Sequence, residues 1–269
     1  MSRVTSRDGT SITFDRAGGG PAVVLVGGGL DEGAENAPLM PQLAEHFTVY
    51  NYARRGRGGS GDTPPYAVAR ELEDLAAIIA DAGGTAHLFG ASSGGALALE
   101  AAAAGLPVGR VAVYEVPYST DDHVVAAFRE YVRQLHRVLA EGRRGAAVEL
   151  FMRLAGAGED DIAAARTAPV WPGLEALAPT LAHDAACLGD GSPPLDRLAT
   201  ITQPVLVATG GLPDPHTGAL GPGFFDAAAD AIAAAVPNAE RRVVDGQTHV
   251  TDPVVLAPVL TAFFTGRSG

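Results

Sequence analysis

The residues best suited to chemistry lie in the stretch Gly90-Ala91-Ser92-Ser93-Gly94, a G-x-S-x-G pattern. The apolar run 86–89 precedes it and an alanine-rich segment follows, which predicts a sharp turn from a strand into a helix. Side chains two residues before and after the serine would collide across so tight a turn, and glycine avoids the collision. Only Ser92 has glycine at both positions, so the pattern predicts Ser92 as a nucleophile. A plain glycine-serine turn also fits the pattern, so a catalytic role for Ser92 depends on features elsewhere in the chain.

Composition excludes several other chemistries. The 269 residues carry a formal net charge of −12, which argues against nucleic acid or an anionic membrane surface as a partner. All nineteen basic residues are arginine, so the chain has neither a Schiff-base lysine nor a P-loop lysine. The single cysteine, Cys187, excludes an internal disulfide and a thiolate metal cluster. We therefore expect neither a metal nor a cofactor.

Apolar segments of membrane or signal-peptide length are missing from the sequence. The first ten residues contain no apolar core, and no run of about 18 apolar residues follows later. These observations predict a soluble, cytoplasmic protein.

The elements that must position Ser92 follow the pattern of a mainly parallel sheet. Continuous β-branched runs are typical of strands covered on both faces, and they occur at 22–26, 47–50, 108–114 and 204–209. Apolar residues spaced by three and four predict an amphipathic helix within 67–82. Strands alternating with helices predict right-handed crossovers between parallel strands.

Two glycine-rich loops follow predicted strands and could hold phosphate groups. Residues 56–61 match G-x-G-x-x-G, but Pro64-Pro65 separates them from the next helix, which argues against a dinucleotide site. The run Gly27-Gly28-Gly29 lacks the lysine of a P-loop. It fits backbone donors for an oxyanion, exposed at the end of a strand beside Ser92.

In combination, these features resemble the α/β-hydrolases. The matching pieces are the turn 27–29, the segment 52–61, the serine turn and Gly246-Gln247-Thr248-His249 near the C-terminus. The resemblance implies a mainly parallel, eight-stranded sheet flanked by helices. It covers the chain except roughly residues 119–198, so the core domain is predicted to comprise residues 1–118 and 199–269.

The intervening residues 119–198 show helical patterns and no strand signal, which fits an all-helical cap (lid) inserted into the core. One predicted helical face groups Val125, Phe128, Val132, Leu135 and Leu139. Trp171 is a candidate substrate-binding residue in the cap, and ordinary cap packing explains it equally well. His123, His136 and His183 lack the spacing of metal ligands.

The resemblance also assigns site residues. Ser92 would be the nucleophile, His249 its base, and the amides of Gly29 and Ser93 the oxyanion hole, with Gly28 as the alternative to Gly29. The family often has histidine where this chain has Gly27. That departure removes one supporting hydrogen-bonding side chain.

Two carboxylates compete for the third position of a catalytic triad. Asp214 follows the strand 204–209, the commonest position in the family, but it also fits a cap on a proline-locked turn. Glu115 closes the apolar strand 108–114, where an unpaired buried carboxylate would be costly. Lactone-opening hydrolases of the zearalenone hydrolase type carry their acid at that position and a second serine after the nucleophile. We favour Glu115.

These assignments predict a serine hydrolase that cleaves a carboxylic ester or lactone of a small, hydrophobic molecule through an acyl-enzyme. A serine at the turn argues against dehalogenase or epoxide-hydrolase chemistry, which in this fold uses an aspartate. The alternative is a non-hydrolytic member of the fold: a ligand receptor, a cyclase or a lyase that uses the same pocket.

Overall fold

A computed structural model describes residues 1–214, 220–221 and 223–266. Within these residues, eight strands form one sheet in the order β1-β2-β4-β3-β5-β6-β7-β8. The strands are β1 (Ser2–Thr5), β2 (Ser11–Gly18), β3 (Ala22–Val26), β4 (Thr48–Tyr52), β5 (Ala86–Ala91), β6 (Val108–Tyr114), β7 (Val205–Gly210) and β8 (Ala239–Val244). The pairs β1-β2 and β2-β4 are antiparallel and the others parallel. The predicted mainly parallel, eight-stranded sheet is confirmed.

Helices cover both faces of the sheet. They are α1 (Leu39–Leu43), α2 (Val68–Asp81), α3 (Ser93–Ala103), α4 (Asp122–Ala140), α5 (Arg144–Leu154), α6 (Glu159–Thr167), α7 (Trp171–Leu177), α8 (Leu181–Cys187), α9 (Leu195–Leu198), α10 (Phe224–Ala235) and α11 (Pro253–Thr265). Side chains of β3 alternate between two apolar cores, because successive residues of a strand point to opposite faces. One core includes α2, α3 and α10, and the other includes α1 and α11.

Helices α4 to α9 lie between β6 and β7, and the described chain has no strand in that interval. They occupy the region predicted as a cap, whose domain boundaries stay a prediction. The buried face of α4 contains Val125, Phe128, Tyr131, Leu135 and Val138. Tyr131 and Val138 thus replace the predicted Val132 and Leu139, which are only partly buried at the edge of the core.

The carboxyl ends of the parallel strands meet at one edge of the sheet, which is where ligands bind in open α/β folds. This edge carries the residues that follow β3, β5, β6, β7 and β8. Among the described residues, no helix is long and apolar enough to span a bilayer.

Candidate active site

Ser92 stands alone between β5 and α3 in a strained backbone conformation. Its φ of 53° and ψ of −130° lie outside the regions that non-glycine residues favour. Its amide donates to the carbonyl of Tyr114, at 2.9 Å. A Cβ on Gly90 would lie 2.4 Å from the carbonyl oxygen of Gly94, so the turn requires glycine there. The strained turn therefore distinguishes Ser92 from Ser93, which is the first residue of α3.

Glu115 follows β6 and holds His249 with one of its carboxylate oxygens. Oε2 lies 2.7 Å from Nδ1 of His249, and Oε1 accepts the amide hydrogen of Gly210 at 2.8 Å. The ring of His249 also stacks on Phe225, with centroids 4.9 Å apart and planes inclined by 15°. Glu115 itself adopts φ 46°, so its backbone is strained as well. Both contacts fix the ring, and Nε2 is left on the opposite side from Glu115.

Ser92 and His249 line the same cavity, of about 310 Å³. No hydrogen bond joins their side chains within the described part of the chain, and such contacts often tighten only when substrate binds. Asp214 lies in the wall of this cavity too, near Leu220. The structure thus brings both candidate acids to the site and gives Glu115 the contact with Nδ1 of His249.

The glycine turn after β3 lies over Ser92. A Cβ on Gly28 would stand 3.2 Å from the Cβ of Ser92, which places this residue closest to the predicted nucleophile. A Cβ on Gly29 would face Phe151 of α5 at 3.4 Å and Oδ2 of Asp184 of α8 at 3.6 Å. The turn therefore lies beside Ser92 at Gly28 and beside residues of α5 and α8 at Gly29.

Behind this turn lies a buried charge cluster of Arg54, Arg57, Glu71 and Asp184. Arg54 forms a two-pronged ion pair with Glu71, at 2.7 and 2.8 Å. Oδ1 of Asp184 accepts from Arg54 at 2.7 Å and from Arg57 at 2.8 Å. Burial raises the pKa of Asp184, but the charges of Arg57 and Arg54 outweigh it and hold that pKa below the ordinary value. Asp184 is therefore ionised at neutral pH.

The arginines of this cluster also form hydrogen bonds with the backbone of the glycine turn. Nη1 of Arg54 donates to the carbonyl of Gly27 at 3.2 Å, and Nη1 of Arg57 donates to the carbonyl of Gly28. The hydroxyl of Ser93 donates to Oδ1 of Asp184 at 2.8 Å. One buried network thus joins the turn, the first residue of α3 and helix α8.

The rest of the cavity wall is largely apolar. Its aromatic members are Phe128, Tyr131, Phe151, Phe224 and Phe225. The described lining does not include Trp171, which packs near α5, its Cζ2 atom 3.5 Å from where a Cβ of Gly145 would stand. These contacts are those of ordinary packing, and a substrate-binding role of Trp171 stays a prediction. The described residues also contain no group of three or more His, Cys, Asp and Glu suited to a metal ion.

Sequence reasoning missed the buried charge cluster and Tyr131. The run Arg54-Arg55-Gly56-Arg57 contributed only to the family resemblance, although three arginines directly after a buried strand signal that acidic partners lie nearby. Asp184 carries no local signal, because its partners Arg54 and Arg57 lie 130 and 127 positions away in the chain.

Comparisons with known proteins agree with this architecture. A sequence model of the alpha/beta hydrolase family matches residues 22–260. The pimeloyl-[acyl-carrier protein] methyl ester esterase of Xanthomonas campestris pv. campestris is 32% identical over 247 residues, which cover 88% of this chain and 90% of the relative.

Among solved structures, an alpha/beta hydrolase from Sphaerobacter thermophilus DSM 20745 is 49% identical, with a TM-score of 0.86 and 98% of this chain and 100% of that chain covered. The enol-lactonase of Burkholderia xenovorans LB400 shares the fold at 20% identity and a TM-score of 0.68, covering 98% of this chain and 100% of its own. The family match spans most of the sequence, and the chain belongs to the alpha/beta hydrolase family.

Proposed function

We propose that the protein is a serine hydrolase that cleaves a carboxylic ester or lactone of a small, hydrophobic molecule. The observation that carries this proposal is the Glu115–His249 contact of 2.7 Å in the cavity that Ser92 also lines. A buried carboxylate on Nδ1 fixes the tautomer of the imidazole and stabilises its protonated form. The ester-cleaving relative from Xanthomonas supports the choice of an ester bond.

The reaction has two halves. Ser92 Oγ attacks the carbonyl carbon while Nε2 of His249 takes its proton, and the tetrahedral intermediate collapses when His249 returns that proton to the leaving alcohol. Water then attacks the acyl-enzyme with His249 again as the base, and the acid product leaves Ser92 free. In a lactone the leaving alcohol stays attached to the product. Glu115 keeps its contact with Nδ1 of His249 in both halves and stabilises the protonated imidazole.

Two backbone amides are proposed to hold the oxyanion. Ser93 is the first residue of α3, so its amide has no acceptor within the helix and lies at the positive end of the helix dipole. The second donor is Gly29. In a planar trans peptide, the C=O of one residue and the N–H of the next point in opposite directions. Arg57 donates to the carbonyl of Gly28, so this carbonyl points into the charge cluster. The N–H of Gly29, in the same peptide, therefore points away from the cluster.

The hydrogen bonds from Arg54 to the Gly27 carbonyl and from Arg57 to the Gly28 carbonyl form a clamp on the glycine turn. This clamp compensates for the histidine that the family often has at position 27. With Gly27 in that position, no side chain of the turn supports its own conformation, and Arg54 and Arg57 supply the hydrogen bonds from the neighbouring strand end. We therefore propose Arg57 as a positioning residue for the oxyanion hole. The apolar wall of the cavity favours a small hydrophobic substrate.

The nucleophile is tested by Ser92→Ala and Ser93→Ala with a fluorophosphonate probe and p-nitrophenyl butyrate. We expect Ser92→Ala to abolish labelling and to lower kcat by roughly 10⁴-fold or more, because the attacking oxygen is gone. Ser93→Ala retains its amide, so labelling should persist. Undiminished labelling of Ser92→Ala would refute the proposal, and tight ester binding without turnover by the unmodified protein would favour the non-hydrolytic alternative.

The triad acid is tested by Glu115→Gln against Asp214→Asn. Glu115→Gln preserves shape but no longer stabilises the protonated imidazole, so kcat should fall on the order of 10⁴-fold. We expect Asp214→Asn to stay within about tenfold of the unmodified protein, and thermal unfolding of both variants checks their folding. The opposite ranking of the two kcat values would assign the acid to Asp214.

The clamp is tested by Arg57→Lys against Arg55→Lys. Arg55 is equally buried but pairs with Asp74 and Asp8, and within the described residues it makes no hydrogen bond to the glycine turn. Lysine keeps the charge and loses the forked geometry. We expect Arg57→Lys to lower kcat about 10²-fold with KM within threefold, since one oxyanion donor is misplaced. Arg55→Lys should affect only the free energy of unfolding, and equal kcat values in the two variants would contradict the clamp.

A further inference from the structure

Tyr131, on the buried face of α4, is a polar group in the cavity that the proposed reaction does not use. The residue is only 8% exposed and lines the cavity. Its hydroxyl has no hydrogen-bond partner among the residues described, although a buried tyrosine usually finds one. Burial, and then the negative charge of Asp184, raises the pKa of Tyr131, so the hydroxyl keeps its proton. It is therefore a hydrogen-bond donor on the cap side of the cavity.

Asp184, also in the cavity wall, has one satisfied oxygen and one unsatisfied oxygen. Oδ1 receives the hydrogen bonds from Arg54, Arg57 and Ser93. Oδ2 is buried and accepts no hydrogen bond within the described chain. An ionised oxygen left in this state is destabilising unless a ligand group or water donates a hydrogen bond to it. Asp184 thus offers an acceptor beside Gly29, in a cavity that Tyr131 also lines, and its charge acts on the Tyr131 hydroxyl.

We propose that Tyr131 and Asp184 recognise a hydroxyl group on the acyl part of the substrate. A hydroxyl is the small neutral group that accepts a hydrogen bond from one partner and donates one to another. It would accept from the Tyr131 hydroxyl and donate to Oδ2 of Asp184. This inference rests on the proposed ester or lactone hydrolysis and narrows it to hydroxy-substituted substrates.

Other substituents satisfy the pair less well. A keto oxygen accepts from Tyr131 but places lone pairs against Oδ2 of Asp184, and a carboxylate is repelled by that ionised oxygen. An unsubstituted alkyl chain leaves both groups unpaired. The position of the hydroxyl follows from Gly29, the proposed oxyanion donor, whose Cβ position lies 3.6 Å from Oδ2. The hydroxyl therefore belongs on the second or third carbon of the acyl chain, close to the reacting carbonyl.

The test compares four ethyl esters that share one chain length: ethyl butyrate and its 2-hydroxy, 3-hydroxy and 3-oxo derivatives, each hydroxy ester as single enantiomers. Acid release is followed by pH-stat titration for the unmodified protein, Tyr131→Phe and Tyr118→Phe. Tyr118 is a matched control because it is equally buried, at 3% exposed, yet it is not part of the described cavity lining.

We expect kcat/KM of the better hydroxy ester to exceed that of ethyl butyrate by about tenfold, the effect of one well-formed hydrogen bond. Tyr131→Phe should reduce this ratio at least threefold, because the substrate hydroxyl then keeps only its bond to Asp184, whereas Tyr118→Phe should leave the ratio unchanged. A ratio near one in the unmodified protein, or equal ratios in the two variants, would overturn the inference while hydrolysis itself stands. If none of the four esters is cleaved and Ser92 resists fluorophosphonate, the proposed function fails together with it.

Asp184→Asn provides a second, independent readout. Asparagine retains the shape and an acceptor for the arginines, and its NH₂ group replaces the acceptor Oδ2 by a donor. In this variant the ratio of kcat/KM for the 3-oxo ester to kcat/KM for the 3-hydroxy ester should therefore rise at least threefold. Asp74→Asn, which alters another buried arginine pair, should leave the ratio unchanged and controls for a general loss of stability. If kcat/KM falls by the same factor for all four esters in Asp184→Asn, Asp184 does not recognise the substrate hydroxyl.

Discussion

The close approach of helix α3 to the end of strand β3 is the constraint on which the rest of the site depends. A Cβ on Gly94 would lie 2.3 Å from the carbonyl oxygen of Val26, so the two backbones touch directly. This contact lets the chain turn at Ser92 with a φ of 53° and brings the first amide of α3 beside the glycine turn. The strain at one residue is offset by the packing of two buried elements against each other.

Buried charge then organises what surrounds that contact. Desolvated ion pairs are stabilising only when their geometry and hydrogen bonds are nearly complete. Arg54 meets this condition by donating to carboxylates and to a backbone carbonyl at once. Arg57 donates to Asp184 and to the Gly28 carbonyl, while its Nε has no partner within the described chain. Asp184 brings helix α8 into the same network. Helix α8 and the turn over Ser92 are thus held by one cluster, in which Oδ2 of Asp184 accepts no hydrogen bond within the described chain.

Local patterns predicted the elements and the sheet because β-branched strands, glycine turns and amphipathic helices have short-range causes. The family resemblance led to His249 and, with the cost of an unpaired carboxylate at the end of an apolar strand, to Glu115. Their contact agrees with the preferred triad, although their roles stay predictions. The face of α4 was displaced by one residue, since tertiary packing selected Tyr131 over Val132. The pairing of Asp184 with Arg54 spans 130 positions, and no pattern in one sequence specifies such a partner.

A crystal structure of the protein after reaction with an alkyl fluorophosphonate tests the central claim, that Ser92 attacks a carbonyl held by the amides of Gly29 and Ser93. The adduct imitates the tetrahedral intermediate. We expect phosphorus bonded to Oγ of Ser92 and its free oxygen about 3 Å from both amide nitrogens. Phosphorus on another side chain, or an oxygen turned away from the Gly29 amide, would contradict the account.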